Sequence, residues 1–140
     1  MAGSNPAPRT IFSHAKNTKQ QGNVGLGLAI AHYVSEMVTV SVPLNDSQDY
    51  DLVVDKGGGL KRVQVKTCRM ARAGQFEVTL SMQGGNRKAN YLGKTGDQFS
   101  YDILFVVTAD GQKYEIPRAA IQHLKFKLTL PSAAYMQFLV

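Results

Sequence analysis

Apolar positions recur at helical spacing between Thr18 and Met37, with Val24, Leu28, Ala31, Val34 and Val38 in register, and Thr18 supplies an N-cap side chain. A helix is predicted there. Gly22, Gly25 and Gly27 lower its propensity but permit close packing, or close approach to a phosphate, along its first turns. Beyond Met37 the period shortens to two. Thr39 to Val42 reads as a first strand ended by Pro43, and Leu52-Val53-Val54 and Lys61 to Thr67 read as a hairpin closing over Gly57-Gly58-Gly59. Gln75 to Met82 alternates, with Phe76, Val78 and Leu80 on one face. Asp102 to Val107 is the most apolar run and is predicted to be a central strand. Asp110-Gly111 turns the chain into a strand over Lys113 to Ile116, Pro117 opens a short helix to about His123, and Phe126, Leu128 and Leu130 mark a last strand. The apolar tail Ala133 to Val140 packs either onto its own core or onto another subunit. These elements predict the α/β class: one domain over residues 17–140, with a central mixed β-sheet flanked by helices, behind a flexible N-terminal arm over residues 1–16.

Alternation brings chemistry to the hairpin. Gln64 and Lys66 are two residues apart and share a strand face, while Val63 and Val65 point to the other. Asp51 begins the partner strand, where closure over the three glycines brings it close to Gln64. A hard cation such as Mg2+ takes oxygen ligands: an anionic oxygen from Asp51, an amide oxygen from Gln64 and a carbonyl oxygen from the Val65 backbone suit it. Lys66 beside such an ion suits orienting or deprotonating an attacking water, or stabilising charge on a phosphorane. From alternation alone the same residues also fit a turn carboxylate and a solvated strand face.

Charge adds a direction. The chain has 140 residues, 44% of them hydrophobic, and a net charge of +6. From Lys56 to Lys94 nine Lys or Arg stand against one acid, Glu77, so this stretch carries +8 and the remainder −2. Such a field attracts a polyanion and makes binding salt-dependent. Lys61, Arg62, Arg69, Arg72, Arg87, Lys88 and Lys94 are the candidate DNA contacts, the last three in a glycine-rich loop over residues 83–98 that also holds Tyr91. No apolar run of membrane length and no signal peptide is seen, so a cytoplasmic protein is expected. The single cysteine, Cys68, excludes an intramolecular disulfide and a Cys-cluster zinc site, and is expected to be packed at a strand end.

Asp51 followed by Gln64-Val65-Lys66 resembles the PD-(D/E)XK nuclease superfamily, and the longer string YDLVVD…RVQVKT is similar to its branch of small homing endonucleases, in which Gln replaces the usual acid. The likeness runs from about Gly22 to Arg69, and more loosely to about Val107. It implies a restriction-endonuclease-like fold, Asp51, Gln64 and Lys66 as catalytic residues, and Mg2+ (or Mn2+ in its place) on Asp51, Gln64 and Val65. Two departures stand out. Tyr50 precedes the Asp where the superfamily has Pro, and a stretch like GDxGE on the first helix reads Gly22-Asn23-Val24-Gly25-Leu26 here, so both of its acids are replaced. Asp51 is then the one motif carboxylate, with Asp49, Asp46 or Glu77 as candidates for a second. The resemblance implies a metal-dependent endonuclease that cuts double-stranded DNA, site-specifically and as a dimer or tetramer. The alternatives are a Holliday-junction resolvase, a DNA-binding module that has lost catalysis, and an RNA-binding protein.

Overall fold

A computed structural model describes residues 10–72, 74–81 and 94–140. The helix α1 spans Thr18–Ser35. Its N-cap is Asn17, whose side chain accepts from the Gln20 amide at 2.9 Å, one residue before the cap expected from sequence. At the other end Val38 N–H donates to Tyr33 C=O and Met37 N–H to Val34 C=O, the Schellman pattern, with Met37 in the left-handed region at φ 60°. The strands are β1 (Thr39–Ser41), β2 (Leu52–Asp55), β3 (Leu60–Cys68), β4 (Met70–Arg72), β5 (Gln75–Thr79), β6 (Ile103–Thr108), β7 (Lys113–Pro117) and β8 (Lys127–Leu130).

Five strands form a mixed sheet in the order β1-β2-β3-β6-β7, and β4, β5 and β8 form a second, antiparallel sheet. The hairpin β2–β3 closes over Gly57 and Gly59, at φ 91° and 112°, values that L side chains rarely adopt. β3 pairs in parallel with β6, and all six residues of β6 are buried, as their apolar run requires of an interior strand. Strand β3 runs through Arg69 directly into β4, so one stretch of chain serves both sheets. Sequence alternation had not separated β4 from the strand before it.

The helix lies on the face that carries Val65, Thr67 and Phe105. A Cβ on Gly25 would overlap the Thr67 methyl and come within 3.7 Å of Val65, so glycine sets how closely the helix approaches the sheet. The buried positions of α1 are Gln21, Gly25, Ala29 and Tyr33, a stripe of period four. This corrects the stripe expected from apolar spacing: Val24 and Val34 are 36% and 55% exposed. Close approach selects small residues, so the buried face of this helix is less apolar than its flank.

On the opposite face Leu104, Val106 and Ile116 are fully buried, and the second sheet turns Phe76, Val78, Leu128 and Leu130 into the same core. Among the described residues the main sheet therefore has one α-helix on one side and a sheet on the other. The helix expected after Pro117 is a single 3-10 turn over Arg118–Ala120. Of the arm expected over residues 1–16, the described part packs on the body: Phe12 is fully buried and Ile11 N–H donates to Ala109 C=O at 2.9 Å. The tail folds back on its own chain. Val140 N–H donates to Lys113 C=O at 2.9 Å, Leu139 bridges Tyr114, and Tyr135 and Phe138 pack against the core, covering the outer edge of β7. Cys68 is buried at the end of β3. No described helix is long and apolar enough to cross a membrane.

Candidate active site

Strand β3 presents Gln64 and Lys66 on the face away from α1, because Val63, Val65 and Thr67 take the other. Asp51 directly precedes β2 and reaches β3 twice. Its amide donates to Val63 C=O at 2.8 Å, and its carboxylate Oδ2 accepts from Val65 N–H at 2.8 Å. The ladder between the strands ends at the pair Leu52 and Val63, so the carboxylate takes the Val65 amide that a longer β2 would have bonded. The N–H and C=O of one strand residue point to the same edge, so the Val65 carbonyl is directed to the Asp51 side as well.

Asp51, Gln64 and Lys66 line one cavity of about 180 Å3, together with Asp46, Gln48, Asp49, Leu80, Phe99 and Tyr101. Burial raises the Asp51 carboxyl above its ordinary range, against the Val65 hydrogen bond and the Lys66 charge, which pull the other way. Burial lowers the Lys66 ammonium, against the attraction of Asp51. Burial thus displaces each group toward its neutral form, and a lysine displaced in this direction is the more readily available as a proton acceptor.

The donor set suits a hard divalent cation: an Asp51 carboxylate oxygen, the Gln64 amide oxygen and the Val65 carbonyl. Among the described residues no three His, Cys, Asp or Glu side chains gather as a metal cluster. The neutral oxygens of Gln64 and Val65 would therefore take part in any coordination, beside the carboxylates that border the cavity. The helix adds no carboxylate, since Leu26 packs against the core and Asn23 is exposed. Glu77 lies on β5 facing Lys127 at 3.7 Å, outside the cavity.

The basic candidates separate by place. Lys61 shares the alternation of Val63 and Val65, opposite to Gln64, and Arg62 pairs with Asp102 at 3.3 Å. Arg69 donates to Gln21 Oε1 at 2.7 Å and to Phe12 C=O at 3.3 Å, binding the N-terminal segment to the sheet corner. Arg72 is exposed at the end of β4. Lys94 sits 2.8 Å from Asp49 at the cavity wall. Arg87 and Lys88 lie outside the described residues. Sequence reasoning missed Phe99 and Tyr101 as walls of the site, for they lie between elements where no period speaks. It also missed Gln21, whose amide donates to Thr67 Oγ1 at 2.9 Å while its oxygen accepts from Arg69. The signal for Gln21 was its spacing of four and eight from Gly25 and Ala29.

A short strand preceded by Asp, a Gln-x-Lys on the strand beside it and a helix packed on the back of a mixed sheet define a nuclease of the restriction-endonuclease-like kind. The model of the PD-(D/E)XK endonuclease family matches residues 16–131, and the chain belongs to that family. Among solved structures, the bacterial homing endonuclease I-Ssp6803I is similar at a TM-score of 0.65 and 24% identity, covering 84% of this chain and 77% of that one. No curated protein matches.

Proposed function

We propose that the protein is a metal-dependent endodeoxyribonuclease that hydrolyses phosphodiester bonds of double-stranded DNA at defined sites, in the manner of a homing endonuclease. The observation that carries this reading is one cavity that holds Asp51, Gln64 and Lys66 with both charged groups shifted by burial. Asp51, Gln64 and the Val65 carbonyl would hold Mg2+, or Mn2+ in its place. When bound, the ion supplies charge stabilisation at the scissile phosphate. The Asp51 hydrogen bond to Val65 fixes the carboxylate and the strand edge together, so the ligand oxygens are set before substrate arrives. Lys66 holds the attacking water and, in its neutral form, takes its proton. Leu80, Phe99 and Tyr101 limit water around the amine and keep its basicity low. Arg62, Arg72 and Lys94, with Arg87 and Lys88, supply phosphate contacts, whereas Lys61 lies on the other face of the sheet from Gln64 and Arg69 is tied to Gln21 of α1.

Incubation with a mixed-sequence plasmid library and Mg2+ or Mn2+, followed by mapping of cut ends, tests the reading: recurrent ends at one sequence are expected. Lys66→Ala should abolish cleavage and change duplex affinity by no more than about tenfold, because the amine acts on the water rather than on most phosphates. Cleavage retained by that variant would remove Lys66 from the mechanism. Preferential cutting of a four-way junction over linear duplex would instead identify a resolvase.

A further inference from the structure

The acid missing from α1 leaves the cavity with one motif carboxylate, yet a second borders it. Asp49 stands two residues before Asp51 on the segment that enters β2, and its side chain is only 14% exposed. Asp46, on the same wall, is exposed, and Glu77 is turned away toward Lys127. Both recorded partners of Asp49 use the same oxygen, Oδ2: Lys94 Nζ at 2.8 Å and Ser100 Oγ at 3.4 Å. Asp51 is engaged in the same way, with Oδ2 taken by Val65 N–H. Among the described residues each carboxylate therefore keeps its Oδ1 without a hydrogen bond, at the wall of one cavity.

We infer that Asp49 supplies the second anionic oxygen of the metal centre, in place of the acid absent from the helix, and that Lys94 is the built-in counter-charge with which the cation competes. The inference rests on the nuclease reading above. Its physical basis is charge count: one carboxylate with neutral oxygens holds a divalent ion weakly, and a second anionic ligand strengthens it. A half-buried carboxylate without a cation needs a partner, and the Lys94 ammonium supplies one. Its side chain is 47% exposed, so it can withdraw to solvent at little cost.

Calorimetric titration of the full chain with Mn2+, without DNA, separates the possibilities. Asp49→Asn keeps the shape and an acceptor for Lys94, and should weaken Mn2+ binding by about tenfold or more. Lys94→Met should strengthen it, because the carboxylate is released from its competitor, and this arm stands if the Asn variant fails to fold. Glu77→Gln should leave it unchanged. Unaltered affinity in Asp49→Asn, or weakened affinity in Lys94→Met, would overturn the inference. If Asp51→Asn alone abolishes binding, the nuclease reading stands and only the role of Asp49 falls. If the unmodified chain takes up no Mn2+, both fall.

Discussion

At Lys66 the surroundings decide the chemistry. An ordinary lysine is an ammonium at neutral pH and cannot accept a proton, but burial lowers this one, and Asp51 restores only part of the shift. Cleavage should accordingly rise with pH, about tenfold per unit, and level off below the ordinary lysine value, since in the proposed mechanism the neutral amine is the working form. On the acid side the raised Asp51 carboxyl must first lose its proton before it binds a cation, so metal affinity should also climb with pH above the ordinary aspartate range. The sign is the same for both groups but the readouts differ: calorimetry follows Asp51, and single-turnover rates at saturating metal follow Lys66. A rate that falls as Lys66 deprotonates would assign the residue to charge stabilisation by the ammonium. The same shifts bear on stability. As pH falls through the lowered Lys66 value the folded state is weakened, and as pH rises through the raised Asp51 value it is weakened again, so near neutrality the site costs the fold stability.

At the scale of elements, the hairpin was legible because it obeys two strong local rules. Its strands alternate, and its turn holds glycines at positive φ, so β2, β3 and the shared face of Gln64 and Lys66 follow from sequence alone. The orientation of α1 was not legible, because apolar spacing marks the flank at Val24 and Val34 while contact is made through Gln21, Gly25 and Ala29. What selects those residues is distance to the strand behind them, a tertiary quantity. Gly25→Ala should test this directly. The added methyl overlaps Thr67 Cγ2 and should cost about 1–3 kcal/mol in denaturant unfolding, as overpacking does. Thr67→Ser removes that methyl and keeps the hydroxyl that accepts from Gln21, so the double variant should recover most of the loss. Equal stability of Gly25→Ala and the unmodified chain would show that the helix has room to move outward. The site walls at Phe99 and Tyr101 were hidden for a related reason: they come from a segment without period, 33 to 37 residues in sequence from Gln64 and Lys66, and only the closed fold brings them there.

Each copy of the chain brings one cavity lined by Asp51, Gln64 and Lys66, and in the proposed mechanism one such site cuts one strand. Making both cuts of a double-strand break in one event would then call for at least two copies. The C-terminal stretch Tyr135 to Val140 was a candidate for joining them, as its apolar composition is unusual for a chain end. Its position changes that expectation: it covers the β7 edge of its own sheet, with Tyr135 and Phe138 packed against the core. Truncation after Ser132 should now lower the unfolding midpoint of each subunit before it alters assembly. At the other end of the sheet β1 carries no further strand among the described residues, and Val42 and Leu44 beyond it are 61% and 105% exposed. Assembly is better tested through the active sites than through either edge. Light scattering should show a dimer or tetramer on target DNA. Mixing the unmodified chain with an excess of Lys66→Ala and allowing subunits to exchange should then convert double-strand cuts into nicks, since most of the assemblies that keep any working site would hold only one. Undiminished double-strand cutting in that mixture, or a monomer on DNA that makes both cuts, would show that a single copy cleaves the two strands in turn.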